Sequence, residues 1–253
     1  SDAIRKCLNW FTVRKETKHF VINAAPGAGK TICAAVIATK LLELKKIKRI
    51  IVIAPRNEVV KQWSVEFQSV SGRHMSKITG ADNEVNTYGV DLCATWAAIS
   101  NLEKEFRNVC DNEETLVICD EHHHAAVSAA WGESAGSAFE NAKYVLILTG
   151  TPIRSDRGET IWLTYNDQGK LNQPSEGIYT LDYGQAVELG YCRPVTFHRH
   201  EGNFTVSCDG TNGIKVSGSA EPIIPNALKN VRGLKQAVDF YKLACTPKYK
   251  SGE

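Results

Sequence analysis

Short runs of Ile, Val, Leu and Cys alternate along the chain with longer stretches that are amphipathic or polar. The short runs predict strands at residues 19–23, 49–54, 91–95, 116–119 and 144–148, and the longer stretches predict helices at 2–11, 31–44, 56–69, 98–106 and 128–141. The strand segments are almost wholly apolar instead of alternating, as suits strands covered on both faces of a parallel sheet. Strand and helix in alternation predict a doubly wound α/β domain closing near Tyr165. Beyond that point the texture changes. Residues 166–177 are rich in Asn, Gln, Gly, Pro and Ser and read as a loop. A short helix at 182–189 closed by Gly190 and a strand at 193–200 are expected next. Segments 204–208 and 214–217 flank the polar Asp209-Gly210 pair and suggest a hairpin. A last helix at 226–243 is indicated by Leu228, Val231, Leu234 and Val238, spaced three and four apart.

Composition narrows the class. Of 253 residues, 43% are hydrophobic and 23% charged, which excludes disorder and fibrous repeats. The longest apolar runs, 32–38 and 50–54, fall far short of the roughly 18 residues a membrane span requires. Thirty basic against twenty-eight acidic residues leave a charge of +2, so any nucleic-acid partner must be argued from local motifs. Eight cysteines occur without a C-x-x-C pair, and Cys33, Cys93 and Cys119 lie in apolar segments, which favours a reducing, cytoplasmic setting. The first residues carry neither a starting Met nor an apolar leader, and a piece of a longer protein is the expectation.

Directly after the first strand stands Ala24-Ala25-Pro26-Gly27-Ala28-Gly29-Lys30-Thr31, followed by a helical run. This is the spacing of a phosphate-binding Walker A loop, with Ala24 in place of the first glycine. Glycines let the backbone wrap around phosphate oxygens, and the helix N-terminus adds partial positive charge. Lys30 would reach the β- and γ-phosphates, and the Thr31 hydroxyl would bind Mg²⁺. The competing reading is a ligand-free glycine turn.

Leu116-Val117-Ile118-Cys119 runs into Asp120-Glu121-His122-His123. An Asp at the carboxyl end of a buried parallel strand can hold Mg²⁺ beside the phosphate loop, and the adjacent Glu can deprotonate a water. Three consecutive histidines also allow a zinc site, with Cys119, Asp120 or Glu121 as further ligands. Against zinc, neighbouring strand residues point to opposite faces and no second ligand pair occurs at zinc-like spacing. His124 reads as a polar loop residue.

These two boxes, with Leu148-Thr149-Gly150-Thr151-Pro152-Ile153-Arg154-Ser155-Asp156, resemble the superfamily 2 helicases and translocases of DExH type. The third box is similar to helicase motif III of the branch holding XPB-like repair helicases, phage helicases and restriction-enzyme motor subunits. Ile53-Ala54-Pro55-Arg56, continuing to Val60-Lys61-Gln62-Trp63, is similar to motif Ia, and Ala94-Thr95-Trp96 to motif Ic. The likeness covers roughly residues 3–200. It implies a RecA-like P-loop NTPase lobe over 1–165 with a central, mostly parallel sheet, and an α+β connector over 166–253 leading toward a second lobe.

By the same resemblance the cofactors are ATP and Mg²⁺. Ala25, Pro26, Gly27, Ala28, Gly29, Lys30 and Thr31 would hold the nucleotide, Thr31 and Asp120 the metal, and Glu121 would be the general base. Pro55, Arg56 and Thr95 would touch a nucleic-acid backbone, DNA in preference to RNA. His123, Thr149 and Thr151 would couple the two sites. Arg154 fits a structural pairing with Asp120 or Asp156 as well as it fits a catalytic part. Hydrolysis in this family needs arginines from a second lobe, and their loss typically costs about 10³ to 10⁵ in rate. The chain alone is therefore expected to bind nucleotide and hydrolyse it poorly. Alternatives are a nucleotide-dependent nucleic-acid-binding switch with little turnover, an RNA helicase, and a P-loop ATPase unrelated to nucleic acid.

Overall fold

A computed structural model describes residues 2–85, 90–121, 129–150, 161–164, 171–194, 202–206 and 214–218. The chain divides into two compact units, Ser1–Arg193 and Pro194–Glu253. Seven strands of the first unit, β1 (His19–Ala24), β2 (Arg49–Ala54), β3 (Met75–Ile78), β4 (Asp91–Thr95), β5 (Thr115–Cys119), β6 (Tyr144–Thr149) and β7 (Ile178–Leu181), form one sheet in the order β3-β4-β2-β5-β6-β1-β7. All of its pairings are parallel.

Every residue of β2, β4, β5 and β6 is buried, which is why these strands lack an alternating pattern in the sequence. The alternation is between two cores. Phe20, Ile22, Ile50, Val52, Leu116, Ile118, Leu146 and Leu148 face one side of the sheet. They pack against Cys7 of α1 (Asp2–Asn9), Ile37 and Leu41 of α2 (Lys30–Glu43), and Trp63 and Phe67 of α3 (Asn57–Ser71). Val21, Ile51, Ile53, Leu92, Val117, Val145 and Ile147 face the other side. There they meet Ile99 of α4 (Trp96–Asn101), Phe106 and Val109 of α5 (Glu103–Asn112), and Ala135 and Ala138 of α6 (Ala129–Ala138). This is the layered α/β architecture the sequence implies.

The differences have local causes. The helix expected at 98–106 is two helices, because Leu102 (φ −121°) breaks the run between Asn101 and Glu103; α4 starts earlier than expected, at Trp96, where the Thr95 Oγ1 caps it by accepting from the Ala98 N–H at 3.3 Å. The first helix continues as a π turn, Trp10–Arg14, closed by Lys15 in the left-handed region. β3 and β7 are four-residue edge strands of mixed burial, too short and too polar to stand out. Since β7 pairs with β1, the first unit runs past Tyr165. The short helix after it, α7 (Tyr183–Glu188), begins with a capping box between Asp182 and Gln185.

In the second unit, β8 (Gly202–Val206) and β9 (Ile214–Gly218) pair antiparallel from Gly202↔Gly218 to Val206↔Ile214. This is the hairpin expected around Asp209-Gly210, with its first strand starting two residues early. Of the strand expected at 193–200, Arg193 and Pro194 are irregular and residues 195–200 lie outside the described residues, as does the helix expected at 226–243. Among the described residues no helix is long and apolar enough to cross a membrane.

Candidate active site

Seven parallel strands put all their carboxyl ends on one edge of the sheet, where α/β proteins of this kind bind ligands. The glycine loop read as phosphate-binding leaves β1, Asp120-Glu121 leaves β5, and Gly150 follows β6, the strand between them. Gly27 and Gly29 both sit at φ 80°, and a Cβ on either would meet nothing within 4 Å. The requirement for glycine here is one of backbone conformation, not space. The Ala28 N–H donates to Ala25 O at 3.1 Å, and the Ala25 N–H donates to Leu181 O of β7 at 3.3 Å. The Cys192 thiol lies 3.4 Å from Pro26 O.

Lys30 opens α2 with its side chain 9% exposed. Its ammonium donates to Ala24 O at 2.9 Å and Ala25 O at 3.3 Å, and lies 4.0 Å from Glu121 Oε1. Gly150 backs this arrangement: a Cβ there would stand 3.4 Å from both Ala24 O and Lys30 Nζ, and 3.5 Å from Pro26 Cδ. Thr31 is half-buried in the same first turn of α2, beside the loop. Thr149, at the end of β6, is buried.

Asp120 is also buried, its N–H donating to Ile53 O at 2.9 Å so that the β2–β5 pairing extends one residue past the strand. Its Oδ2 accepts a 2.7 Å hydrogen bond from Nε1 of Trp63, a side chain with no exposed surface. Burial pushes the Asp120 carboxyl above the usual range; the Trp63 bond opposes this, Glu121 adds to it and Lys30 opposes it. Glu121 sits at φ 49°, a left-handed backbone that is strained for a non-glycine residue. Oxygen donors from Asp120 and Thr31 suit a hard divalent cation such as Mg²⁺. Cys119, proposed as a zinc ligand, is sealed within the sheet core, and among the described residues no three His, Cys, Asp or Glu side chains converge on a metal position. His122, His123, His124, Thr151, Arg154 and Asp156 lie outside the described residues.

Further along the same edge, Pro55, Arg56 and Thr95 line one cavity of about 380 Å³, with Trp96 and Trp131 in its wall. Arg56 is exposed and directly precedes α3, whose first N–H groups open toward this edge. Thr95 is buried and its hydroxyl is already engaged in capping α4.

Two side chains carry more than the sequence assigned them. Trp63 belongs to the segment similar to motif Ia, yet its bond to Asp120 was not foreseen. The available signal was its place on the inward face of α3 with Val60 and Phe67, because a buried indole N–H needs an acceptor. Trp131 gave no signal beyond being the one aromatic in an alanine-rich stretch, 128–138.

The fold, with the family match over residues 1–154, is that of a RecA-like lobe of the superfamily 2 helicase and translocase class. Residues 1–154 match the family described as "Type III restriction enzyme, res subunit", and the chain belongs to that family. It is 28% identical over 187 residues to an uncharacterised protein of Mycobacterium tuberculosis, covering 74% of this chain and 31% of that one. It is 33% identical over 198 residues to the EcoAI type I restriction enzyme endonuclease subunit of Escherichia coli, covering 76% and 22% respectively. The chain thus spans a third or less of the length of these relatives. Among solved structures, the Type ISP restriction-modification enzyme LlaGI in complex with a DNA substrate mimic superposes with a TM-score of 0.55 at 15% identity, covering 75% of this chain and 20% of that one. The DNA-bound Type ISP enzyme LlaBIII gives 0.50 at 18% identity, covering 74% and 15%.

Proposed function

We propose that this chain is the first lobe of an ATP-driven DNA helicase or translocase, working in the cytoplasm and completed by a second RecA-like lobe of the same protein. The observation that carries the reading is the convergence of Lys30, Asp120 and Glu121 at one strand-end edge around a loop whose two glycines are left-handed. The loop from Ala25 to Thr31 would wrap the phosphates, with the N–H groups of Gly27, Gly29, Lys30 and Thr31 as donors, and Lys30 would exchange its carbonyl partners for phosphate oxygens. Thr31 and Asp120 would hold Mg²⁺, which neutralises charge building on the phosphates. Glu121 orients the attacking water and takes its proton on a carboxylate oxygen. Its Oε1 lies 4.0 Å from the Lys30 ammonium, which places the carboxylate beside the phosphate loop.

Along the edge, Arg56 and the N-terminus of α3 bind backbone phosphates, with Pro55 and Thr95 shaping the track. Such contacts position a strand without reading its sequence. His123, Thr149 and Thr151 join the two sites. DNA is favoured over RNA because the E. coli relative is a restriction subunit and both Type ISP enzymes are seen with DNA. Arginines from the second lobe complete hydrolysis, so this lobe alone turns over slowly. The test is ATPase activity of the full-length protein with single-stranded DNA, double-stranded DNA and RNA. Stimulation by DNA is expected; stimulation by RNA alone would reassign the substrate, and none by any of the three would defeat the motor reading.

A further inference from the structure

The 2.7 Å bond from Trp63 Nε1 to Asp120 Oδ2 joins two buried side chains from separate elements, α3 and the end of β5. Asp120 is fixed at its backbone by Ile53, so the remaining freedom is rotation of its carboxylate. The indole takes one oxygen and thereby sets the plane in which the other lies. Groups that orient a metal ligand without touching the metal are commonly needed for tight binding. Trp63 is held in turn by the sheet, since it has no exposed surface and packs among Val52, Ile118 and Phe67.

We infer that Trp63 is a positioning residue for the metal-binding carboxylate, fixing Asp120 through its indole N–H so that Mg²⁺ is captured with the nucleotide. This rests on the metal role given to Asp120 above. A merely structural Trp63 would matter through its bulk; a positioning Trp63 matters through its N–H. Two substitutions separate these. Trp63→Phe keeps most of the bulk and removes the donor. Trp63→His loses the benzo ring but keeps a five-membered ring with an N–H two bonds from Cγ, as in indole.

The experiment is binding of a fluorescent ATP analogue to wild type, Trp63→Phe, Trp63→His and Asp120→Asn at about pH 8, where imidazole is neutral. Each is measured in EDTA and across a Mg²⁺ titration, with thermal melts reporting folding. Trp63→Phe is expected to bind metal-free nucleotide as wild type does while needing about 10-fold more Mg²⁺ for half-effect, with Trp63→His closer to wild type. If Asp120→Asn shifts the Mg²⁺ midpoint and a folded Trp63→Phe does not, the inference is overturned alone. If Asp120→Asn shifts nothing, the metal reading of Asp120 falls and takes the inference with it. Should Trp63→Phe not fold, Trp63→His decides: a wild-type midpoint supports the inference, and a midpoint as poor as that of Asp120→Asn overturns it.

Discussion

The ammonium of Lys30 donates to the carbonyl oxygen of Ala24 at 2.9 Å, inside the loop it is proposed to share with a nucleotide. The loop is thus closed around its own lysine, and phosphate oxygens must outcompete two neutral carbonyls for it. An anion does so readily, because charge-assisted hydrogen bonds are roughly twice as strong as neutral ones. Lys30→Met is expected to weaken ATP binding by about 10- to 100-fold, the equivalent of one charged hydrogen bond of roughly 1.5–3 kcal/mol. Its melting temperature should stay near wild type, since the partners lost are two loop carbonyls and the long 4.0 Å contact with the partly exposed Glu121. Calorimetric titration and thermal melts check both; undiminished affinity would remove Lys30 from the phosphate site.

Glycine is needed for different reasons at Gly29 and at Gly150. Gly29→Ala places a Cβ in open space on a left-handed backbone, which costs roughly 1–2 kcal/mol or flips the loop. Gly150→Ala fits at ordinary contact distance, whereas Gly150→Val drives a branched side chain toward Lys30 Nζ and Ala24 O. Nucleotide affinity is expected to fall for Gly29→Ala and Gly150→Val and to hold for Gly150→Ala. Equal losses at both alanine variants would contradict this geometry.

Asp91 has no exposed surface and accepts from Ile50 N at 2.9 Å and from Arg73 Nε at 2.6 Å, tying β2, β4 and the turn after α3 together. Arg73→Leu removes the guanidinium from that buried carboxyl group and leaves it the Ile50 N–H. Breaking a buried pair costs about 3–5 kcal/mol, and the partial exposure of Arg73 lowers this to roughly 2–4 kcal/mol. Adding Asp91→Asn should recover part of the loss, because the amide oxygen still accepts from Ile50 without a charge. Urea melts of the single and double variants measure it; a double variant no more stable than Arg73→Leu would refute the electrostatic cause.

His19, half-buried at the start of β1, has its imidazole pushed down to about 4, by burial first and then by Lys18. Among the described residues its Nε2 has no hydrogen-bond partner. Unfolded, the ring titrates near 6.5. Above that it is neutral in both states and carries no penalty. As pH falls below 6.5 the unfolded chain takes up a proton that the folded chain refuses, and stability declines until about pH 4, where the folded ring also protonates. The loss is roughly 1–2 kcal/mol once partial solvent exposure is allowed for. His19→Phe should flatten stability by that amount between pH 6.5 and 4; a variant with the wild-type slope would show that other groups set it.

The strands at 49–54 and 91–95 were legible to the residue because both faces are covered and the apolar run is unbroken. The same logic hid β3 and β7. Met75-Ser76-Lys77-Ile78 and Ile178-Tyr179-Thr180-Leu181 lie at the sheet's edges and keep polar side chains, so pairing, not composition, makes them strands. The position of the glycine loop after β1 and of Asp120-Glu121 after β5 was legible because each is a run of consecutive residues at a strand end. Trp63 and Asp120 are 57 positions apart, and nothing local in either segment announces their bond. The split of α4 from α5 comes from the non-helical backbone of Leu102, an apolar residue that continues the hydrophobic period and so gives no sign of a break.

The central claim is that this lobe hydrolyses ATP through Glu121. Its most direct test is DNA-stimulated ATP turnover by the full-length protein, wild type against Glu121→Gln, with nucleotide binding measured on the same samples. General-base loss predicts turnover lower by about 10²- to 10⁴-fold for Glu121→Gln, with ATP affinity unchanged. Turnover by Glu121→Gln at the wild-type rate would contradict it.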